Sequence, residues 1–420
     1  MTVNSRNPFS CLVVKFGGSS LSDGERLSRA ASAVAREVKR GVRVAVVVSA
    51  MGKTTDKLLE TVKKSSNSNG PSIRDVDDIL SMGERTSARI FRAALVSSGV
   101  ESRHFDPADE DWPIITDSAY GNAEPNLKLC HERIREHVQP LMEKRIVPVI
   151  PGFIGRTEDG ETTTIGRGGS DTTAFILAKA LGAREVVLVT DVDGILSADP
   201  KIIGNPKRLE EVTADTLAGL ADSGTKFIHK KALKYKDENI DVRVISHIHS
   251  RLDAEGTLVK GSFSKELDVE LASSKPVLML TVVGRGISDE PKVIHEIVEV
   301  VRSGGSPLLG MSANHNSLIL YLPDECPQSI LESVHSVVLK HRETLAMAVR
   351  KGMALLVVRG VGLEETPGLI GGIAEPLRQN HINIFGILTI TSSIQVFVDW
   401  KDCDKAISLT RKSLRKEVKA

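Results

Sequence analysis

CLVVKFGGSSLSDGERLSRAASAVAREVKRGVRVAVVVS, residues 11–49, is the stretch whose reading decides the fold. Residues 11–16 are a short apolar run with one lysine, Lys15, near its end. Ser22 and Glu25 have the spacing of a capping box at a helix start. Leu27, Ala30, Ala31, Val34 and Val38 then recur at helical spacing, and Gly41 is a good stop. Residues 42–49 are almost continuously apolar, as in a strand buried on both faces of a parallel sheet. Strand, helix, strand in this order predicts a βαβ unit with a right-handed crossover.

The chain outside it extends the alternation. The residues predict a polar loop at 65–71, a helix at 78–98, a strand at 101–105 and an amphipathic helix at 125–144. A strand at 146–151 and a hairpin at 153–164, turning at Asp159-Gly160, follow. Next come an apolar helix at 171–181 closed by Gly182, a strongly apolar strand at 185–190 and helices at 214–222 and 229–236. A strand at 242–246 closes this part. Residues 261–275 are charged and Ser-rich and predict a linker. Beyond them a weak repeat of strand, glycine turn, helix and strand pair runs twice, which predicts two small α+β modules. The expected domains are 1–262, 275–345 and 346–420.

Composition sets bounds. The 420 residues suit two or three domains, with 41% hydrophobic and 26% charged residues. A net charge of +1 and 4% aromatics argue against a nucleic-acid or membrane-surface role. The four cysteines are scattered and suggest neither a zinc knot nor a disulfide framework, which fits a reducing cytosol. Residues 1–10 are too short and polar for a signal peptide, and no apolar run reaches bilayer-spanning length.

Three segments carry chemistry. In an open α/β sheet, ligands collect beyond the strand C-termini. There Lys15, Gly17, Gly18, Ser19 and Ser20 offer one cation and a turn whose N–H groups can cradle phosphate oxygens. Residues 162–173, TTTIGRGGSDTT, put Gly166, Gly168 and Gly169 around Arg167, with Ser170 and Asp171 opening a helix. That is a loop-to-helix junction suited to a small anion. Thr190, Asp191 and Gly194 close the third apolar strand. Gly52-Lys53-Thr54 is not a phosphate-binding P-loop, because the glycine required five residues earlier is Val47. Glu84-Arg85, taken alone, reads most simply as a solvated surface pair. His247 and His249 alternate, but no third ligand at useful spacing makes them a metal site.

Together these segments resemble the aspartate kinase family of the amino-acid kinase superfamily. The resemblance rests on VVKFGGSS, VVVSAMGKTTDKLL, SMGERTSA, PGFIG, TTTIGRGGSDTTA, VTDVDGI, ADPKI and SGTKFIHKKAL, in the family's order, between residues 11 and 233. The tail resembles paired ACT domains, most clearly in ETPGLIGGIAEPLRQNHINIFGI. It implies an α/β amino-acid kinase fold, three-layered αβα with a largely parallel sheet, followed by two ferredoxin-like α+β ACT modules.

The implied reaction is transfer of the ATP γ-phosphate to the β-carboxylate of L-aspartate. Carried over, Lys15 would stabilise the transferring phosphoryl group and Asp171 would orient the catalytic cations. Ser49, Thr54, Glu84, Phe153, Arg167, Gly168 and Ser170 would form the aspartate pocket. Gly17, Gly18, Ser19, Thr190, Asp191, Asp199, Lys201 and Lys226 would hold ATP, which brings Mg²⁺ with it and needs no metal held tightly by the protein. The resemblance further implies a cytoplasmic homodimer or larger homo-oligomer, with lysine or threonine as effector at the ACT modules, serving lysine, threonine and methionine synthesis. Ser19, Leu196, Lys201 and Lys230 depart from the family's usual Thr, Tyr, Arg and Pro, and the first ACT copy lacks its glycine-rich helix entry. The alternative is an amino-acid sensor with an inactive kinase domain; retention of Lys15, Asp171 and the glycine loops argues against it.

Overall fold

The computed structural model describes residues 11–65, 70–221, 228–262, 267–360, 363, 367–390 and 393–417. The chain divides into two compact units, Met1–Lys265 and Glu266–Ala420.

The first unit opens as expected, with β1 (Cys11–Phe16), α1 (Gly24–Lys39) and β2 (Arg43–Val48). β1 and β2 pair in parallel, Lys15 opposite Val47. α1 starts one residue later than the capping box implies. Asp23, not Ser22, caps it, accepting from the Arg26 N–H at 2.9 Å, while the Ser22 hydroxyl donates to Asp23. Next come α2 (Thr54–Ser65), α3 (Ile73–Ser97), β3 (Ser102–His104), α4 (Leu127–Arg133), α5 (Gln139–Glu143) and β4 (Val147–Pro151). The single helix expected at 125–144 is broken by a π-helical turn, Ile134–Val138. Pro140 explains it: it has no N–H for the carbonyl four residues back, and its ring crowds that carbonyl.

The hairpin is β5 (Ile154–Arg156) and β6 (Thr162–Thr164), followed by α6 (Gly169–Leu181) and β7 (Glu185–Thr190). Then come β8 (Glu211–Thr213), α7 (Ala214–Ala221), α8 (Lys230–Leu233), β9 (Asp241–Ser246) and β10 (Thr257–Lys260). Two expectations fail here. β9 is not the last strand, because β10 folds back antiparallel on it and pairs with β8. The helix expected at 229–236 is a single turn. It ends as Lys236 buries its ammonium among the carbonyls of Asp237, Ile240 and Gly261.

The main sheet runs β3-β4-β2-β1-β7-β9-β10-β8, and its first six strands are mutually parallel. The chain leaves β1 first for β2 on one side and later for β7 on the other. β1 therefore sits at the switch point where the connections change direction, the usual location of a ligand crevice.

Alternation along β1 decides what faces each side. Leu12, Val14 and Phe16 enter one core with Leu27, Ala30 and Val34 of α1 and Phe91 and Leu95 of α3. Val13 and Lys15 point the other way, where α6 packs on β1. α6 is buried around most of its circumference, as the apolar run Ala174–Ala178 in its middle requires.

In the second unit, residues 261–275 are not only a linker. They hold β11 (Asp268–Leu271), whose Val269 is buried in the unit's core. There follow β12 (Val277–Gly284), α9 (Pro291–Ser303), β13 (Gly310–Asn314), β14 (Ser317–Pro323), α10 (Gln328–Lys340) and β15 (Thr344–Arg359). α11 (Leu369–Gln379), β16 (Gly386–Ile390), β17 (Ser393–Asp399) and α12 (Cys403–Glu417) complete it. β15 serves both halves. Its start pairs with β12, and its end, from Met353, pairs with β17 and β11. One apolar cluster forms under α9 and α10 and another under α11 and α12.

Phe91 of α3 packs against Phe16 in a tilted ring pair, centroids 5.2 Å and planes 37° apart, with no solvent exposure of Phe91. Phe91→Ala should cost about 3–5 kcal/mol of stability by the usual cavity argument. Urea unfolding of the full chain checks it; a loss under about 1 kcal/mol would show that α3 is not clamped here.

Candidate active site

Four segments converge beyond the C-terminal ends of β4, β2, β1 and β7. The turn after β1 lies closest to its neighbours. The Gly17 N–H and the Ser20 hydroxyl both donate to the Val189 carbonyl of β7, at 3.0 and 3.1 Å. The Gly52 N–H donates to the Gly18 carbonyl at 2.9 Å. A Cβ on Gly18 would stand 2.6 Å from the Ala50 carbonyl oxygen, so only glycine lets these two turns meet. Arg26 braces the turn from α1 through a 2.7 Å bond to the Ser19 carbonyl.

The opposite wall is the start of α6. Gly168 precedes it with φ of 77°, and a Cβ there would meet the Cβ of His229 at 2.6 Å. Among the described residues no side chain caps this helix. The Gly169 N–H is taken by the Gly166 carbonyl at 3.0 Å, which leaves the N–H groups of Ser170 and Asp171 and the positive end of the dipole to face an anion. Asp171, in the first turn, points across to β1, and its carboxylate meets the Lys15 ammonium at 2.7 Å. The pair is only 17% and 10% exposed, so it is screened far less than a surface pair.

Behind this pair lies a second pocket wall. The Ser49 hydroxyl donates to the Ser170 hydroxyl at 3.0 Å, joining the exit of β2 to α6. Phe153, after β4, holds a left-handed φ of 68° and packs against Gly169. Glu84 is 4% exposed, and one of its oxygens accepts from the Ala50 N–H at 3.1 Å. Among the described residues its other oxygen has no hydrogen-bond partner. The surface-pair reading of Glu84-Arg85 is therefore corrected: Arg85 turns away to bind Asp106 at 2.8 and 3.0 Å. Burial pushes the Glu84 carboxyl up to about 7, against the lowering effect of the Ala50 N–H.

The remaining predicted residues are more dispersed. The Thr54 hydroxyl donates to the Met51 carbonyl at 2.6 Å. Arg167 is exposed at the crest of the loop. Thr190 ends β7 beside Asp191, to which its hydroxyl donates at 3.1 Å. Asp199 caps its own turn by accepting from the Lys201 N–H at 2.8 Å. Among the described residues nothing joins that turn to Lys15, and Lys226 lies outside them. His247 and His249 take separate partners, the Thr190 carbonyl and Asp193. Sequence reasoning did not single out His229 as the neighbour of Gly168, because the two are brought together only by the turn before α8.

Comparison with known proteins fits this geometry. Residues 10–246 match the Amino acid kinase family and residues 348–411 match an ACT domain. A crystal structure of aspartate kinase from Synechocystis superposes with a TM-score of 0.78 at 26% identity, covering 96% of this chain and 69% of that one. The protein is thus an amino-acid kinase carrying ACT structure. Aspartokinase from Thermus thermophilus is 30% identical over 405 residues, 94% of this chain and 96% of the relative. That from Mycolicibacterium smegmatis is 32% identical over 416 residues, 94% of each. The chain belongs to the aspartokinase family.

Glu84 gives a signed test. Below about pH 4.5 its carboxyl is protonated in both folded and unfolded chains. Between about 4.5 and 7 the folded chain keeps a proton that the unfolded chain releases, so stability falls as pH rises through that window. The loss is on the order of 3 kcal/mol. Glu84→Gln should remove this fall and be the more stable protein at pH 8, measured by urea unfolding across pH. Parallel profiles for variant and parent would contradict the assignment.

Proposed function

We propose that this enzyme transfers the γ-phosphate of ATP to the β-carboxylate of L-aspartate, giving 4-phospho-L-aspartate and ADP. The observation that carries the reading is the Lys15–Asp171 pair, held at 2.7 Å between a glycine turn and an open helix N-terminus. The acceptor carboxylate is ionised at neutral pH, since its ordinary pKa is about 3.9, so no general base is needed. The protein's task is then alignment and charge neutralisation.

In this reading Gly17 and Gly18 form the turn over the nucleotide phosphates, but the Gly17 N–H is already given to the Val189 carbonyl, so Gly17 shapes the turn and does not itself hold a phosphate. Lys15 neutralises the charge on the group in transfer, and Asp171 aims the lysine. Mg²⁺ arrives on ATP and neutralises phosphate charge. Ser19, Thr190, Asp191, Asp199 and Lys201 line the nucleotide side, with Lys226 as a further member. Arg167 takes a carboxylate of aspartate through its two-pronged guanidinium. Glu84 faces the α-ammonium, and Ser49, Thr54, Phe153, Gly168 and Ser170 shape the pocket between them. An ammonium beside the buried Glu84 would favour its ionised form and supply the partner its second oxygen lacks.

The second unit is read as two ACT modules that sense an amino-acid end product, lysine or threonine, with the chain working as a homodimer or larger homo-oligomer in the cytoplasm. The reaction would be the first committed step toward lysine, threonine and methionine.

The test is ADP release with aspartate, glutamate or N-acetylglutamate as acceptor, with hydroxylamine trapping the acyl phosphate as a hydroxamate. Aspartate-dependent hydroxamate formation is expected. ADP release that ignores aspartate, or none at all, would overturn the reading and favour a sensor with an inactive kinase unit.

A further inference from the structure

One buried carboxylate of the first unit has no place in the chemistry above. Asp77 sits on α3, 1% exposed. One of its oxygens accepts from the Gly121 and Thr164 N–H groups, both at 2.8 Å; the other accepts from the Thr164 hydroxyl at 2.7 Å. Among the described residues no lysine, arginine or histidine pairs with it. A buried carboxyl group here receives three donors from two loops, and a buried polar group is costly unless its acceptor sites are used.

What those donors belong to gives the arrangement its meaning. Thr164 ends β6, three residues before Arg167. The Thr164 carbonyl accepts from the Ala123 N–H at 2.9 Å, so Asp77 and Ala123 fix this residue from both sides. Gly166 lies against the segment after Gly121, leaving no room for a side chain: a Cβ there would meet the Asn122 side-chain oxygen at 2.8 Å. Lys231 ties the same two segments together, donating to the Asn122 side chain and the Ile165 carbonyl, each at 2.6 Å. Arg74, three residues before Asp77, is ion-paired with Glu161 at the foot of β6. Seven residues after Asp77, two helical turns along the same face, Glu84 holds the Ala50 N–H. One face of α3 thus grips both loops of the acceptor pocket.

We infer that Asp77 is a positioning residue for the acceptor site. By tying Thr164 and Gly121 to α3 it sets where the Gly166–Ser170 loop presents Arg167 and Ser170. The inference rests on the acceptor reading proposed above. Asp77 touches no substrate and acts through the backbone of Thr164, so its removal should loosen acceptor binding and leave nucleotide binding alone.

The test compares Asp77→Ala and Asp77→Asn in the full chain by steady-state kinetics. Asparagine can place its oxygen toward the two N–H groups while the Thr164 hydroxyl turns to accept from its amide. Asp77→Asn should therefore stay within about threefold of the parent in KM for aspartate. Asp77→Ala should raise that KM roughly tenfold or more, with KM for ATP within about twofold. An unchanged KM for aspartate in Asp77→Ala would overturn the inference. So would a parallel rise in both KM values, or an equal defect in both variants. If Asp77→Ala does not fold, Thr164→Val, which deletes only the hydroxyl bond, replaces it, with a smaller rise confined to aspartate expected and no rise counting against the inference. If the parent does not use aspartate, the function reading fails, and amide hydrogen exchange decides the tie itself. Protection at Gly121 and Thr164 lost in Asp77→Ala and kept in Asp77→Asn supports it; protection unchanged in both overturns it.

Discussion

The contact on which the first unit depends is the 2.7 Å pair between Lys15 and Asp171. A cation at the end of β1 and a carboxylate in the first turn of α6 are 156 residues apart in sequence. They meet because Lys15 falls on the α6 side of β1, while Val14 and Phe16 fall on the α1 side. A one-residue slip of β1 would send the lysine into an apolar core and Phe16 into the crevice. The glycines on either side serve the same end. Gly18 lets the turn after β1 touch the turn after β2, and Gly168 lets the start of α6 approach His229. Partial burial then keeps the pair poised rather than dissolved in solvent.

Much of this was legible in the sequence. The alternation of CLVVKF, the Val-rich β2 and the glycine turns predicted a parallel sheet with its site at the strand exits, and the structure has that sheet. Membership of the aspartokinase family was likewise carried by GRGGSD, SMGE and VVKFGGSS. What local pattern could not supply was long-range closure. β8 and β10 are three and four residues long and have meaning only once β9 offers an edge. β11 looked like linker because its four residues alternate between exposed charge and one buried valine, and it gains a core only by pairing with β15.

The pocket residues divide along the same line. Glu84 within a helix reads as surface until α3 is laid against the exit of β2, which buries it and leaves one oxygen without a partner among the described residues. Asp77 leaves no trace in any motif, because its three bonds are to backbone and hydroxyl groups 44 and 87 residues away. Arg167 was conspicuous in sequence for the opposite reason: a cation among glycines has nothing local to pair with. The helix break at the π-turn before Pro140 was available from the proline alone and was masked by the amphipathic pattern around it.

The most direct test of the account is a double-mutant cycle on kcat with Lys15→Met, Asp171→Asn and both together. If Asp171 works by aiming Lys15, each single change should lower kcat by roughly 100-fold or more. The double variant should then be no slower than Lys15→Met alone, because a carboxylate with no lysine to orient has nothing further to lose. Losses that multiply, so that the double variant falls far below either single one, would contradict the account and assign the two residues independent roles.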